Sequence, residues 1–476
     1  MFFDNNGDNL IRNMQDRRTF IKAGAIATLT AGFARNLYAQ NSKVTKYAGE
    51  SQCDVCVVGA GPAGIPAAIA AARQGMKVTL IHDDAIIGGA PVSMYADMVC
   101  GGPLVGIHYE MFKKVFKDYD IRRTPNRKDG DWLWLSPYGI AAAYNALVRA
   151  EKNITLIANA YARGVIMDEK GNKPKISGVE YSVNGNTFAV RAKVVIDSTG
   201  TGLISDLAGA KYMFGREAKS DFNEPLALDV ADNKVMPCTW MGITQRFRPG
   251  GVLDMEQIKL PLNEILESGE GYIHSMKAKK KEVPMSDIYL QWMTQDFCNT
   301  LDPTEIAKLQ SLLLERDIMP MMENFHSQGF SISIAPRLGI RECRRVLGHK
   351  VITTNEVCGE VFPDDTIAVA KYILDAWGRR KELGSALGKS YTFGIPYSAC
   401  VVKDVDNLLM AGKHISGTSM AASAYRVQPI VASIGQAVGN AAAMMIENKT
   451  SAMSIDVGDL QEKLVKQGTL KRENLS

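Results

Sequence analysis

The chain has 476 residues, of which 46% are hydrophobic and 22% charged, and its mean hydropathy is −0.08. This composition predicts a globular protein with a large buried core, arranged in two domains. The formal net charge is only +4, and the one basic run, "KAKKKE" at 277–282, has no interleaved aromatic residues. Such a run is typical of a solvated surface, so we expect no nucleic-acid partner.

The N-terminal segment, residues 1–39, is predicted to be a signal peptide. In "DRRTFIKAGAIATLTAGFARNLYAQ" (16–40), Arg17 and Arg18 precede Phe20 and Lys22, a pattern that resembles a twin-arginine export signal. The weakly apolar run that follows is too short to cross a bilayer, so we expect no stable membrane span. The alternative is an ordinary amphipathic helix.

A twin-arginine signal implies a particular route and destination. It implies that the twin-arginine export machinery is a partner and that the mature protein is periplasmic or extracellular. That route carries folded proteins and suits enzymes that acquire a cofactor before they leave the cytoplasm.

Eight cysteines are scattered along the chain without a disulfide framework. The pair in "CDVC", Cys53 and Cys56, has the spacing of a metal or redox site. It lies on a predicted apolar strand, with no second pair and no nearby histidine cluster. We interpret both residues as buried strand cysteines and predict no metal site.

The most informative motif is a dinucleotide-binding fingerprint. A short apolar strand is followed by "GAGPAG", by an alanine-rich helix and by a second strand. In this spacing Gly59 makes the tight turn, Gly61 lets the backbone approach a pyrophosphate, and Gly64 lets the helix pack on the sheet. Pro62 and Ala63 complete the predicted phosphate loop, at a helix N-terminus whose free N–H groups attract phosphate.

The residue after the second strand departs from the usual pattern. An acidic residue is typical about 20 positions after the first glycine, where it binds a ribose, and His82 stands there instead. Imidazole can make one hydrogen bond to the ribose, and Asp83 or Asp84 could supply another. The alternative is that His82 caps the strand while backbone groups hold the ribose.

Three later segments complete a recognisable pattern. They are "DSTGTGLISDLAGA" from Asp197, "RECRR" from Arg341 and "NLLMAGKHISGTS" from Asn407. Their order and spacing resemble a branch of the glutathione-reductase-like FAD-dependent oxidoreductases that carries "DATGDGDLAALAGA", "RETRR" and "NLLVAGRCISATH". The resemblance covers roughly residues 50–447. It implies FAD as the cofactor, with His82 replacing the family's usual Glu at the adenosine ribose.

The resemblance also implies cofactor contacts outside the first fingerprint. The residues implied are Gly88, Gly89, Ala162, Thr199, Gly200, Gly412, Val427 and Gln428. Of these, Ala162 would offer backbone atoms to the adenine. The helix beginning near Val427 and Gln428 would direct its positive end at the flavin's pyrimidine carbonyl, where negative charge develops on reduction.

Catalytic residues are harder to identify, because the flavin carries the hydride and the protein mainly orients the substrate and handles protons. The candidates are His414, Tyr425, Arg426 and Arg341. For His414 the alternative is a structural histidine at a strand end. For Arg426 a cation at a helix start implies a nearby anion, either flavin or substrate. Of the three arginines in "RECRR", we expect two to form a charged face with Glu342.

These features predict an α/β fold in which a Rossmann-like FAD-binding domain carries an inserted α+β substrate domain. The FAD-binding domain is predicted from 50–91, 151–211 and 396–447. The substrate domain is predicted from 92–150 and 212–395, and 448–476 forms a C-terminal tail. Only one complete fingerprint is present, which argues against a separate NAD(P)H domain.

The sequence therefore predicts an exported FAD-dependent oxidoreductase that transfers a hydride between flavin and a small organic substrate. Its electron acceptor is a quinone, an electron-carrier protein or oxygen. Two alternatives stay open. One is a non-redox protein that merely holds FAD, and the other is a nucleotide-binding protein without turnover.

Overall fold

The computed structural model describes residues 46–119, 133–168, 173–247, 288–377, 383–386 and 388–475. The predicted signal peptide and the basic run at 277–282 lie outside the described residues. Gly49–Ser476 forms one compact unit.

The strands in the described ranges are β1 Gly49–Val58, β2 Val78–Ile81, β3 Met98–Val99, β4 Leu133–Trp134, β5 Ile154–Ile157, β6 Tyr161–Asp168, β7 Lys175–Val183, β8 Asn186–Asp197, β9 Tyr212–Met213, β10 Cys238–Arg246, β11 Ile288–Asp296, β12 Phe330–Ile334, β13 Arg345–Val346, β14 Thr366–Ile373, β15 Ser390–Pro396 and β16 Leu408–Met410.

The α-helices in the same ranges are α1 Gly64–Arg73, α2 Ala90–Ser93, α3 Gly106–Lys114, α4 Pro137–Ala150, α5 Leu203–Leu207, α6 Lys219–Phe222, α7 Pro303–Leu313, α8 Met319–Ser327, α9 Thr354–Cys358, α10 Ser419–Tyr425, α11 Gln428–Glu447 and α12 Val457–Lys466.

The main sheet of the described residues has the order β5-β2-β1-β8-β7-β6, with β16 also paired to β8. Strand β1 runs parallel to β2 and β8, and β16 runs parallel to the last residues of β8. The carboxyl ends of these strands therefore meet at one edge, which is where ligands bind in open α/β sheets. The predicted α/β fold with a Rossmann-like core is confirmed.

Helices α1 and α11 pack closely because their contact consists of small residues. A Cβ atom at Gly435 would overlap the carbonyl of Ala63, and one at Gly439 would overlap the carbonyl of Ala67. The absence of these side chains lets the two backbones approach, and brings the start of α11 beside the glycine turn. Helix α11 is buried along almost its whole length.

The secondary structure predicted around the motifs is confirmed. The two apolar strands predicted around the glycine turn correspond to β1 and β2. The helix predicted to begin near Val427 and Gln428 is α11, and it begins at Gln428. Cys53 and Cys56 lie on β1, and Cys56 is buried.

A second antiparallel sheet, ordered β11-β10-β12, has a hydrophobic core of its own. This core includes Trp240, Leu313 and Phe325 from strand β10 and from the helical segments that follow β11. All three belong to the predicted substrate domain. Residues 92–150 were also predicted to belong to the substrate domain. Helices α3 and α4 lie in this range, but residues of both pack in the larger core around the main sheet. The domain division itself stays a prediction.

One described helix, Gln428–Glu447, is long and apolar enough to cross a membrane by length and composition, but 94% of its apolar window is buried inside the protein. A buried core helix passes the same length and composition test as a membrane span.

His108 on α3 predicts a dependence of stability on pH. The side chain is buried, its Nδ1 lies 2.9 Å from the hydroxyl of Tyr144, and burial lowers its pKa to about 4. In the unfolded chain His108 takes up a proton near pH 6.5, whereas in the folded chain it stays neutral until a lower pH. The contribution of His108 to the free energy of unfolding is therefore complete above pH 6.5 and is lost as the pH falls.

We expect the His108 contribution to the free energy of unfolding to fall by about 1.4 kcal/mol per pH unit between pH 6 and pH 4.5. Urea unfolding across this range, for the natural chain and for His108→Gln, measures that slope. A slope equally steep in the variant would contradict the assignment to His108.

Candidate functional site

A cavity of about 700 Å³ lies at the carboxyl ends of the parallel strands. It is lined by the residues that directly follow those strands, which are Gly59, His82, Ser198 and Ala411. This volume is in the upper part of the range for ligand pockets in proteins. The position and size favour a large extended ligand.

Two turns meet at the wall of the cavity where α1 begins. Gly59 has a φ of +103°, and a Cβ there would overlap the carbonyl oxygen of Ser198. A Cβ on Gly89 would lie 2.7 Å from the Cα of Gly61. Glycine at both turns therefore lets the backbones approach each other and leaves room for a ligand beside the start of α1, where N–H groups favour an anion.

His82 contacts the glycine turn directly. It is buried, its Nδ1 accepts a hydrogen bond from the backbone N–H of Ala60 at 3.2 Å, and burial lowers its pKa. The ring is therefore neutral, with its proton on Nε2. That Nε2 is buried and makes no hydrogen bond of ordinary geometry to the described residues, while the backbone of Ile86 favours the charged form of the ring. His82 thus caps the turn and lines the cavity.

The carboxylate of Asp83 forms an ion pair with Arg337, a residue for which the sequence predicted no role. The guanidinium of Arg337 donates to the Asp83 carboxylate at 2.8 Å and to its carbonyl at 3.2 Å, and also lies 3.7 Å from the Asp84 carboxylate. Arg337 follows β12, in a segment where the sequence pointed to no site residue. Its role could not be found from the chain, because 254 residues separate it from Asp83.

Most of the other predicted cofactor residues line the same cavity. They are Pro62, Ala63, Ala162, Thr199, Gly200, Gly412, Val427 and Gln428. Gly64 and Gly88 lie behind the cavity wall instead. A Cβ on Gly64 would overlap the carbonyl oxygen of Gly59, and Gly88 donates its N–H to the carbonyl of Ala60. These two glycines shape the turns that form the wall.

The loop after β8 is held by a buried carboxylate. Asp197 accepts hydrogen bonds from the hydroxyl of Thr199 at 2.7 Å and from the N–H of Ser205 at 2.9 Å. The Thr199 hydroxyl in turn accepts from the N–H of Leu203 at 3.1 Å. This network fixes the backbone of Thr199 where the loop borders the cavity.

Two of the four catalytic candidates lie at the cavity and two do not. Arg341 and Arg426 line it. His414 is buried behind the wall, with its Nε2 at 3.5 Å from Asp197. Tyr425 is buried as well, and its hydroxyl donates to the carbonyl of Ile415 at 3.2 Å. The structure therefore favours a structural role for His414, the alternative that the sequence left open, and a similar role for Tyr425.

Arg341 lies among uncharged partners. Its Nη1 donates to the carbonyl of Pro237 at 2.7 Å and to the hydroxyl of Thr239, and its guanidinium stacks 4.8 Å from the ring centre of Trp377. Burial, together with the nearby charge of Arg426, lowers its pKa to about 10, although the charge of Asp375 acts in the opposite direction.

Arg426 ends α10 and lies two residues before α11. Its Nη2 donates to the carboxylate of Asp375 at 2.6 Å and to the Asp375 carbonyl at 3.1 Å. The hydroxyl of Tyr372 donates to the same carboxylate at 3.4 Å. A carboxylate beside Arg426 could not be foreseen from the chain, because β15 and β16 separate the two segments.

Lys413 is a further residue of the cavity that the sequence analysis did not single out. Its Nζ donates to the carbonyl of Ile340 at 2.6 Å. Burial is the largest cause of a lowered pKa for this amine, and the charge of Arg426 acts in the same direction. The signal was its place directly after Gly412 in "NLLMAGKHISGTS", next to a predicted cofactor contact.

The other arginines of "RECRR" make structural ion pairs. Arg345 pairs with Glu342, as predicted, and with Glu217 at 2.6 Å. Arg344 pairs with Asp206 at 2.9 Å instead. We expected two of the three arginines to form a charged face with Glu342. Among the described residues Arg345 does so, whereas Arg344 pairs with Asp206 of α5 instead.

The described residues contain no group of three or more His, Cys, Asp or Glu side chains that could hold a metal ion.

The chain is similar to proteins of several functions. It is 27% identical over 158 residues to thiamine thiazole synthase from Pyrobaculum calidifontis, which covers 32% of this chain and 57% of that enzyme. The chain thus spans little more than half of that relative's length.

Solved structures similar to the chain include a geranylgeranyl bacteriochlorophyll reductase-like protein from Thermoplasma acidophilum (16% identity, 90% of this chain and 86% of that one, TM-score 0.36). L-proline dehydrogenase from P. horikoshii is 12% identical, over 89% of this chain and 100% of that one, with a TM-score of 0.36. Similarities this distant assign no substrate.

The residues at the cavity fit FAD. Two glycine turns form a cradle that side chains would fill, and buried polar atoms of His82, Ser198 and Gln428 at the cavity make no hydrogen bond of ordinary geometry to the described residues. The sequence model of the family described as FAD dependent oxidoreductase matches residues 54–464. The chain belongs to the FAD-dependent oxidoreductase family, and its cofactor is FAD.

Proposed function

We propose that the protein is an exported FAD-dependent oxidoreductase that transfers a hydride between the flavin and a small organic substrate. The single observation that carries this proposal is the continuity of the cavity. It extends from the glycine turns to a polar wall formed by Arg341, Asp375 and Arg426. One pocket therefore offers a place for the cofactor and groups that could orient a second molecule.

The chemistry that bound FAD supplies is hydride acceptance and donation at the flavin ring. The residues of this chain have the remaining tasks. Arg341 and Arg426 would orient the substrate, and Asp375 holds Arg426 in place through its 2.6 Å ion pair. The start of α11, at Gln428, presents N–H groups that would stabilise negative charge at the flavin.

A proton must also be held or moved near the reacting atoms. Lys413 is the group best suited to this task, because burial lowers the pKa of its amine and it lines the cavity. A buried amine with a lowered pKa exchanges its proton at milder pH than a free lysine.

The proposal predicts a yellow protein whose flavin absorption bleaches when a substrate is added without oxygen. A panel of alcohols, amines, sugars and acids, each added anaerobically, is the measurement. A yellow protein that no compound bleaches would favour a non-redox FAD-holding role. A colourless protein would favour nucleotide binding without turnover. Re-oxidation by a quinone, a carrier protein or oxygen then identifies the acceptor.

The proposed export rests on the sequence pattern at Arg17, Arg18, Phe20 and Lys22. We infer a periplasmic or extracellular location from it, with the twin-arginine machinery as the transport partner. Fractionation of the producing cells checks this location, and retention in the cytoplasm would contradict it.

A further inference from the structure

We propose that the substrate is a small carboxylic acid with an apolar body, and that Arg341 and Arg426 bind its carboxylate. This inference rests on the proposed function and names the substrate class of the same site. Arg341, Lys413 and Arg426 are called the cation cluster below.

The charge balance of the cavity favours an anionic ligand. Its charged lining residues are Asp83, Arg337, Arg341, Asp375, Lys413 and Arg426. Asp83 and Arg337 pair with each other. That leaves the cation cluster with Asp375 as its only lining carboxylate in the part of the chain that the structure describes. The cluster therefore carries an excess of positive charge before a ligand binds.

Both arginines have guanidinium donors that could bind a carboxylate. Arg341 has no carboxylate partner in the described ranges, and its hydrogen bonds go to the uncharged oxygens of Pro237 and Thr239. Arg426 binds Asp375 through Nη2, while its buried Nε has no partner among the described residues. A guanidinium with free donors matches the two oxygens of a carboxylate.

The three cations of the cluster line one cavity and repel one another. The charge of Arg426 lowers the pKa of both Arg341 and Lys413, and Asp375 offsets only part of this effect at Arg341. Like charges held together away from water are stabilised when an anion binds between them. A neutral substrate would leave this repulsion in place.

The FAD diphosphate does not account for the two arginines. Its predicted site is the pair of turns at Gly61 and Gly89, beside the start of α1. The contacts of Arg341 and Arg426 are with Pro237, Thr239, Trp377 and Asp375, none of which belongs to those turns. Lys413 is different, because its Cε would lie 3.6 Å from a Cβ on Gly200. The Lys413 side chain therefore lies beside Gly200, a predicted cofactor contact. We do not assign Lys413 to the substrate carboxylate.

The walls of the same cavity favour an apolar body on the substrate. Met94, Met241, Ile306 and Trp377 line it together with the arginines. Burying an apolar group against such side chains contributes to affinity in proportion to the area removed from water. Methionine side chains also adapt to ligands of different shape.

The experiment compares acids with their amides on the FAD-loaded protein. Benzoate, phenylacetate and hexanoate are titrated beside benzamide, phenylacetamide and hexanamide, and binding is followed by flavin absorption and by isothermal titration calorimetry. We expect at least one acid to bind about tenfold or more tightly than its amide, because a charged hydrogen-bond pair is lost in the amide.

Variants assign the effect to the two arginines. Arg341→Met and Arg426→Met should each weaken binding of that acid about tenfold while flavin content is retained. Arg341→Lys keeps the charge and should weaken it less. Arg344→Met is the matched control, since Arg344 pairs with Asp206 and does not line the cavity, and it should leave acid binding unchanged.

Two results would overturn the inference. One is that no acid in the panel binds, and the other is that acids and amides bind equally well. Bleaching of the flavin by a neutral alcohol or amine in the same protein would then leave the proposed redox function intact. Calorimetry measures acid binding even if no compound bleaches the flavin, so the two proposals can fail separately.

Discussion

Replacing Gly61 with valine is expected to remove FAD from the protein while the fold is kept. A Cβ at Gly61 would meet only the Cα of Gly89, at 3.7 Å, which is ordinary van der Waals contact. The fold itself therefore has room for the Cβ atom of a side chain at position 61. The added methyl groups would instead occupy the space that the diphosphate needs, and forcing atoms into a filled site costs about 1–3 kcal/mol.

This cost corresponds to FAD binding that is about 5- to 150-fold weaker. The ratio of flavin to protein after purification and dialysis is the measurement, with the far-UV circular dichroism as a check on the fold. Gly458→Val is the matched control, because Gly458 is an exposed glycine on α12 and does not line the cavity. An unchanged flavin content in Gly61→Val would show that the phosphate turn is wrongly assigned.

Replacing Arg345 with methionine is expected to destabilise the fold by about 3–5 kcal/mol, the usual cost of removing one partner from a buried ion pair. Arg345 is 1% exposed and binds Glu342 and Glu217. It also donates to the carbonyls of Gly215 at 2.7 Å and Gly417 at 3.1 Å. Without it, two buried carboxylates lose the cation that pairs with both of them.

Urea unfolding of the two proteins measures this loss, and Arg344→Met is the control from the same motif. Arg344 is 13% exposed and pairs with one carboxylate of the described ranges, that of Asp206, so its loss should cost about 1 kcal/mol. Changing Glu342 and Glu217 to glutamine in the Arg345→Met chain should restore part of the stability. Equal losses in Arg344→Met and Arg345→Met would contradict the special position of Arg345.

The contrast between these two arginines shows where sequence reasoning reached its limit. "RECRR" presents three arginines in five positions with nothing to distinguish them. In the folded chain Arg341 lines the cavity, Arg344 pairs with Asp206 and Arg345 is enclosed by two glutamates. Residues 341–344 form a loop and Arg345 begins a short strand, so successive side chains point in different directions. The residues that they contact come from distant parts of the chain.

His82 is a second case of this kind. The sequence showed that an imidazole replaces the usual acid, and it left open whether the side chain binds a ribose or caps the strand. The structure places its Nδ1 on the Ala60 N–H and leaves its Nε2 beside the cavity. One side chain can meet both descriptions because its two nitrogens are distinct.

The parallel-sheet core and the glycine turns could be predicted from the amino-acid sequence, because the turn, the helix start and the apolar strands are each encoded within a few adjacent residues. FAD followed from motifs spread over residues 50–447. Which charged side chains meet became visible in the folded chain. The tertiary structure brought Arg337 to Asp83 and Arg426 to Asp375, and it separated His414 and Tyr425 from the cavity. Such contacts depend on how distant segments pack, a property that no short stretch of the chain carries.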